Sequence, residues 1–528
     1  IANEGLGQSR DARESYEAAG QLPNFRAAAE LRLAELSARE GDLKAAELYL
    51  RSVMRSAPDD LRAAEELSAI LSAEGQKEES RNLANDWVDR FPERYFLLEQ
   101  VGRPDLHHLG NDAERVLNIA AEYMRLGMHA QALEVLSRKY PDAVVHESEP
   151  GAFPPEKHPM VAYYRAYCRE RLGQSATADL SAAQKLPTNY LFPSRATDLE
   201  VLRAALRVNS EDATAHYLLG TLYFSRGLTE PAIAEWEQAR RISPQIPVLH
   251  ASLGRALLYT KDNPEQALAV FQEGLRWDPQ NVELYTGMDQ ALSILQHPPK
   301  DLVQALERYP DRANMPSKLV YELILNLAEA GEFDKSMALF HNRFFPREEG
   351  GTNVRQVWLE VQVQHATSLA QSGHCSEATN MLDHLAESVP DLPFTRDGLQ
   401  PFLQSARFSY LIGNVYKSCG LTDKSVGVFQ RATEQSGLEN LVWSVKASEQ
   451  LPNFDQSGAT EKLQGTLNHS RNNAESGNQS SWWLYNIAML ENALGDHEHA
   501  KKEFRQALLA PDQFTAYHLT RLALSSNP

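Results

Sequence analysis

A glycine and a proline recur at fixed offsets through this sequence, and their period decides what the chain can fold into. Gly41 to Gly75, and Pro58 to Pro92, each span one period of about 34 residues. Residues 213–244 fill that period most completely. Leu219, Gly220 and Tyr223 lie on a first predicted helix, Ala232, Trp236 and Ala239 on a second, and Pro244 closes the unit. Gly220 and Ala232 are small, so the two helices can approach closely where they cross, and Tyr223 and Trp236 fill the gap beside them. Pro244 ends the second helix because it has no N–H to donate and its ring clashes with the preceding turn. The glycine between the helices suits a turn that needs positive φ.

About ten such units follow one another, most of them imperfect. A phase break begins after residue 94, a proline-rich and acidic loop spans 141–159, and Tyr190 to Arg195 are extended before an extra helix at 198–208. One extra residue falls near Asp262-Asn263-Pro264, and longer breaks occur at 343–351 and 390–401. Residues 438–478 read as irregular, polar helices, and a helix over 515–524 is placed to cap the end, where the last face has no neighbour to bury it. These breaks divide the chain into 1–94, 95–187, 188–345 and 346–528. The expected architecture is all-α, a right-handed solenoid of antiparallel helix pairs, with first helices on the concave face and almost no strand.

At 528 residues a compact globule would need several domains, but a repeat array grows in one dimension. A hydrophobic content of 42% is that of a folded protein. A net charge of −19 argues against nucleic acid and against an anionic membrane, since both need basic surface. Cys168, Cys375 and Cys419 are too far apart for a disulfide framework or a zinc site, so they read as small packing residues, a usage that fits a reducing compartment. No apolar run is long enough to span a bilayer. The opening Ile1-Ala2-Asn3-Glu4-Gly5 reads as a cut edge. The expected compartment is cytoplasmic, or periplasmic or secreted if a signal peptide preceded residue 1.

The repeats resemble the tetratricopeptide (TPR) superfamily, which implies partner binding without chemistry. A closer resemblance, over roughly 113–524 by repeat phase, rests on three places. They are Tyr190-Leu191-Phe192-Pro193-Ser194-Arg195; Ala215-His216-Tyr217-Leu218-Leu219-Gly220 with Pro247-Val248-Leu249-His250; and Arg343-Phe344-Phe345-Pro346-Arg347-Glu348-Glu349-Gly350-Gly351. Together these are similar to the TPR region of a large bacterial family of unknown function. In that family a β-sandwich resembling galactose mutarotase precedes the repeats. The family usually has His-Pro-Trp-Glu-Gly-Gly in the third place; here Phe345 stands for the His, and Arg347-Glu348 replace the Trp. The resemblance implies that any carbohydrate chemistry belongs to that preceding domain.

Groove residues are the first candidates for contact. Tyr163 and Tyr167 are one turn apart on a first helix, with Arg171 a turn further, and Tyr217, Thr221, Phe224 and Arg255 take equivalent places in later units. Aromatic rings beside arginine can stack on a sugar or hold a peptide, although helical aromatic stripes are more often core. The 343–351 loop is the second candidate, through Arg343, Phe345, Arg347 and Glu348, because loops that interrupt repeats are often binding elements. His497 and His499 diverge on their helix and cannot share a metal. Tyr410 and Asn414 stand where a C-terminal carboxylate clamp would need Lys and Asn. No metalloprotease, phosphate-loop or nucleophile-elbow motif is present. The expected function is a non-catalytic scaffold with no cofactor and no metal, for a protein or peptide or for an N-terminal β-sandwich of the same protein. The alternative is an accessory module that helps a carbohydrate-active enzyme bind a glycan.

Overall fold

The computed structural model describes residues 8–141, 153–346, 352–387, 398–472, 480–510 and 513–526. Among the described residues every regular element is a helix, arranged in successive antiparallel pairs. The all-α expectation therefore holds. The unit at 213–244 shows why these residues fold this way. Asp212 accepts the Ala215 N–H at 3.0 Å and so caps the helix Ala213–Ser225. Gly227, at φ +73°, turns the chain into the helix Thr229–Ile242. A Cβ on Gly220 would lie 2.6 Å from Trp236 Cδ1 and 3.0 Å from the Ala232 carbonyl oxygen, so the crossing needs bare backbone. Trp236 completes the contact by donating its Nε1–H to the Tyr217 carbonyl at 3.2 Å.

The same left-handed turn recurs at Gly41, Gly75, Gly127, Gly173, Gly331, Gly373, Gly420 and Gly495, with φ between +70° and +87°. Two turns make it without glycine, at Asp262 (φ +48°) and Gln296 (φ +56°). Before the first of them, Ala256–Thr260 widens into a π-helix, which takes up the one extra residue that the period carries there.

The chain forms two compact units, Ile1–Leu249 and His250–Pro528. In the first, the short helices Tyr95–Gln100 and Leu106–Asn111 occupy the phase break. Its extended segment before the helix Ala196–Val208 is held rigidly: the Ser194 and Arg195 N–H groups both donate to Asp198 Oδ2 at 2.8 Å, and Arg195 Nε donates to Asn118 at 2.8 Å. Leu191 is buried there, while Tyr190 and Phe192 stand 71% and 72% exposed.

In the second unit, the helix Phe514–Ser526 packs on Ser481–Ala493 and His497–Leu509, as a cap should. It also returns to Ser317–Glu329, about two hundred residues earlier, which an end cap would not do. The reason is chemical: Tyr517, His518 and Arg521 are all buried and find their partners on first helices from the start of the unit. None of the described helices is long and apolar enough to cross a membrane.

The cysteine expectation needs correction. Cys375 and Cys419 form a disulfide, with Cα atoms 5.4 Å apart and a separation of 44 positions in sequence. Cys375 starts the second helix of one unit, just after Gly373, and Cys419 ends the first helix of the next, just before Gly420. Stacking brings these turn-side positions of adjacent units together, which distance along the sequence does not reveal. Cys168 alone behaves as the small packing residue expected, and burial pushes its thiol up to about 12. Titration of the denatured, unreduced protein is expected to find one thiol per chain, and three after reduction; three before reduction would contradict the pairing. Closing a loop of this length contributes about 4 kcal/mol by the chain-entropy relation, so dithiothreitol is expected to lower the melting temperature.

Candidate partner-binding cavity

The second unit contains a cavity of about 470 Å³ where the N-terminal turns of four first helices converge. These helices are Val354–Gln371, Ala406–Ser418, Leu438–Ser448 and Ser481–Ala493, joined by the short helix Gln400–Leu403. Local capping aims them. Ser405 accepts from the Phe408 N–H at 3.4 Å and Ser480 from the Trp483 N–H at 3.3 Å. Asn440 Oδ1 takes the Ala406 N–H at 2.9 Å, tying one helix start to the next.

Five aromatic side chains line the space: Phe402, Phe408, Trp443, Trp482 and Tyr485. Trp443 packs at 5.6 Å from the Tyr410 ring, with the Lys446 ammonium 4.8 Å and the Arg407 guanidinium 5.6 Å from its centre. Trp482 meets Tyr485 edge-on at 5.9 Å. Leu519, from the C-terminal helix, closes one wall, and the amides of Gln356, Gln435, Asn440 and Asn486 supply polar groups. An apolar chamber with a few convergent polar groups is the usual form of a binding pocket.

The cationic group in the wall is already matched. Arg407 makes a two-pronged pair with Glu360, at 2.5 and 2.7 Å. Burial would raise the Glu360 carboxyl, but Arg407 and His518 outweigh it and hold Glu360 far below the usual carboxylate range. The same ion cluster locks Leu519 in place through its neighbours. His518 Nδ1 lies 2.5 Å from Glu329 Oε1, and its Nε2 lies 2.6 Å from the Gln364 amide. Burial would lower the imidazole, but Glu329 and Glu360 raise it above its ordinary value. Arg521 donates to Glu329 at 2.6 Å and to Asn326 at 2.5 Å, and reaches Asp289 and Ser293 at 3.4 and 3.3 Å. Among the described residues no group of three or more His, Cys, Asp or Glu is arranged to hold a metal ion.

The residues singled out from sequence are not part of this cavity. Tyr163 is 1% exposed and donates its hydroxyl to Asp212 at 2.8 Å, so it packs helices and steadies a cap; the groove-facing expectation is corrected here. Tyr167 is also buried, and Arg171 is spent on it, donating to its hydroxyl at 2.9 Å with the guanidinium 4.9 Å from the ring. Tyr217 is core, and Thr221 donates to the Tyr217 carbonyl within its own helix at 2.9 Å. Phe224 is partly open but leans on Trp236 at 5.3 Å. Arg255 is exposed and pairs with Glu283 at 3.4 Å.

The 343–351 loop is likewise anchored where contact was expected. Arg343 donates to the Met315, Arg312 and Ala313 carbonyls at 2.8, 3.2 and 3.3 Å. Phe345 is buried, 5.1 Å from Tyr321 and 5.8 Å from Phe340. Both are therefore staples rather than contact residues, and the ring that protrudes is Phe344, 80% exposed. Arg347 and Glu348 lie outside the described residues. Of the cavity rings, Trp443 falls in 438–478, which reads as polar and irregular, while Phe402, Phe408, Trp482 and Tyr485 fall outside it. The available signal was an aromatic residue in the first two turns of three successive first helices: Phe408, Trp443 and Trp482.

A tetratricopeptide repeat model matches residues 484–512, the last clear helix pair. No curated protein matches the chain. Among solved structures, YrrB, titled a TPR protein with an unusual peptide-binding site, is similar at 16% identity over 44% of this chain and 91% of its own, with a TM-score of 0.26. Yeast Tom70 is similar at 12% identity over 99% of this chain and 93% of its own, with a TM-score of 0.24. The TPR2AB domain of yeast Sti1, in its pHSP90 complex, is similar at 14% identity over 60% and 98%, with a TM-score of 0.17. Scores this low leave the fold to rest on the helix pairing itself.

Proposed function

We propose that this chain is a non-catalytic TPR scaffold that binds a protein or peptide partner, with the aromatic cavity of the second unit as its contact. The observation that carries this is the convergence of five aromatic side chains and four amides on one chamber in a stack of helix pairs. Stacked repeats offer broad binding surfaces, and buried aromatic anchors supply most of the energy at such contacts. Trp482→Ala is expected to weaken partner binding about thirtyfold, the effect of losing an anchor worth about 2 kcal/mol, while the helix content stays unchanged. Calorimetry with a purified partner reads this directly; unchanged affinity would remove the cavity from the contact.

A second reading makes the chain the helical part of a bacterial protein with a preceding β-sandwich, which helps form a glycan site. It is favoured by three exposed rings on the segments that carry that resemblance: Tyr190, Phe192 and Phe344. A glycan array probed with the protein from its intact gene tests it, and a negative array for a protein that carries such a domain would count against it. The Cys375–Cys419 pair removes the argument for a reducing compartment and supports the periplasmic or secreted alternative.

A further inference from the structure

The chemistry of the cavity wall narrows the ligand. Its cation is matched internally, since Arg407 is paired with Glu360 in two-pronged geometry, and the carboxylate in the lining, Glu439, is exposed and accepts from the Asn440 amide at 3.2 Å, so the chamber does not require an ionic group on its occupant. Its rings do not form an open stacking platform of the kind a flat sugar face uses. Tyr485 and Phe408 are each 3% exposed, and Trp443 is flanked by Tyr410, Arg407 and Lys446. The accessible interior suits a compact apolar group that enters end-on.

The amides add a second constraint. Asn440 is committed to the Ala406 N–H. Gln435 makes only a long 3.4 Å contact to the Arg431 carbonyl, and Gln356 lies across the cavity on the first turn of another helix. A primary amide offers both donors and an acceptor, which matches the N–H and C=O of a peptide backbone. A helical ligand has already paired these groups within itself, so the amides favour an extended one.

The geometry points to an anchor subsite: the cavity takes one apolar side chain, aromatic or branched aliphatic, from an extended segment of a partner polypeptide, whose backbone pairs with Gln356 and Gln435. This rests on the cavity being the partner site. The C-terminal helix is part of the receptor, because Leu519 forms a wall and its neighbours His518 and Arg521 fix that wall against Glu329, Glu360 and Asn326. Binding and docking of this helix are therefore linked, and a change that loosens one weakens the other.

A random peptide library displayed on phage, selected on the intact chain, tests the inference. Enriched peptides are expected to share one apolar residue at a fixed position. Replacing it by alanine should cost about thirtyfold in affinity, and Trp482→Ala in the receptor should cost a similar factor. Gln435→Ala, a half-buried polar change that spares the core, should cost about fivefold, the effect of one hydrogen bond. Leu519→Ala should weaken binding in the same direction. Thermal melts of each variant separate these losses from misfolding. Peptides enriched for a fixed charged residue with no apolar one, or bound equally by the folded Trp482→Ala and Gln435→Ala variants, would overturn this assignment and leave the scaffold reading standing. No enriched peptide, with glycan binding by the same preparation, would overturn both.

Discussion

Arg521→Met is expected to destabilise the second unit by about 3–5 kcal/mol, the range for removing one partner of a buried charge cluster. Arg521 is 9% exposed and faces Glu329 and Asp289 directly. Without it, both carboxyls stay buried: Glu329 keeps His518, Asp289 keeps only the neutral donors Asn326 and Tyr517, and desolvation no longer has an adequate counter-charge. Adding Glu329→Gln and Asp289→Asn should recover most of the loss, because the cost lies in the orphaned charges rather than in the missing guanidinium.

The pH dependence follows from the same contacts. Burial pushes Glu329 up, but Arg521 and His518 outweigh it and hold it below its ordinary 4.5. Its contribution is therefore present above 4.5 and lost as pH falls through its lower folded value. His518 is raised, so its contribution is full below 6.5 and lost as pH rises through its higher folded value. The Arg521→Met deficit should be largest near neutral pH and shrink in acid, where Glu329 takes up a proton. Urea unfolding of both proteins across this range measures it, and a deficit that grows in acid would contradict the assignment.

Gly287→Ala is expected to cost about 3 kcal/mol or more, the upper range for overpacking. A Cβ there would lie 2.4 Å from Phe271 Cζ. The same end of the ring also lies against Gly254, where a Cβ would stand 2.3 Å from Phe271 Cε1, so the ring is held close to bare backbone on both helices. Phe271 is fully buried between two first helices that approach each other only because both lack a side chain at the crossing. Phe271→Leu should partly rescue Gly287→Ala. By contrast, Gly420→Ala has nothing within 4 Å of the new Cβ and only positive φ to overcome, at +76°. It should cost about 1–2 kcal/mol. Equal losses at the two positions would show that backbone strain, not packing, governs the crossing.

These two glycine classes also show what could be read in the sequence. The turn glycines and the small residues at helix crossings act within one period, so a fixed offset reveals them. Asp262 and Gln296 make the same turn without glycine, so the glycine period does not mark those two turns. Groove tyrosines were misjudged because a first helix shows one face to the groove and others to its neighbours, and Tyr163 falls on a packed face beside Asp212. Beyond the recurrence of an aromatic residue near the start of three successive first helices, the cavity is not legible in the sequence. Its rings come from different units, each unremarkable in its own period, and their meeting depends on how units stack. The Cys375–Cys419 pair and the return of Arg521 to Glu329 are contacts of the same kind, set by stacking and invisible to spacing along the chain.

Hydrogen exchange on the intact chain, with and without a peptide selected as above, tests the central claim most directly. The account predicts that the peptide slows exchange at the starts of the helices Ala406–Ser418, Leu438–Ser448 and Ser481–Ala493 and around Leu519, with no change in Pro159–Arg171 or Ala213–Ser225. Protection in those two helices instead, with none around the cavity, would contradict it and return the contact to the groove residues that the sequence first suggested.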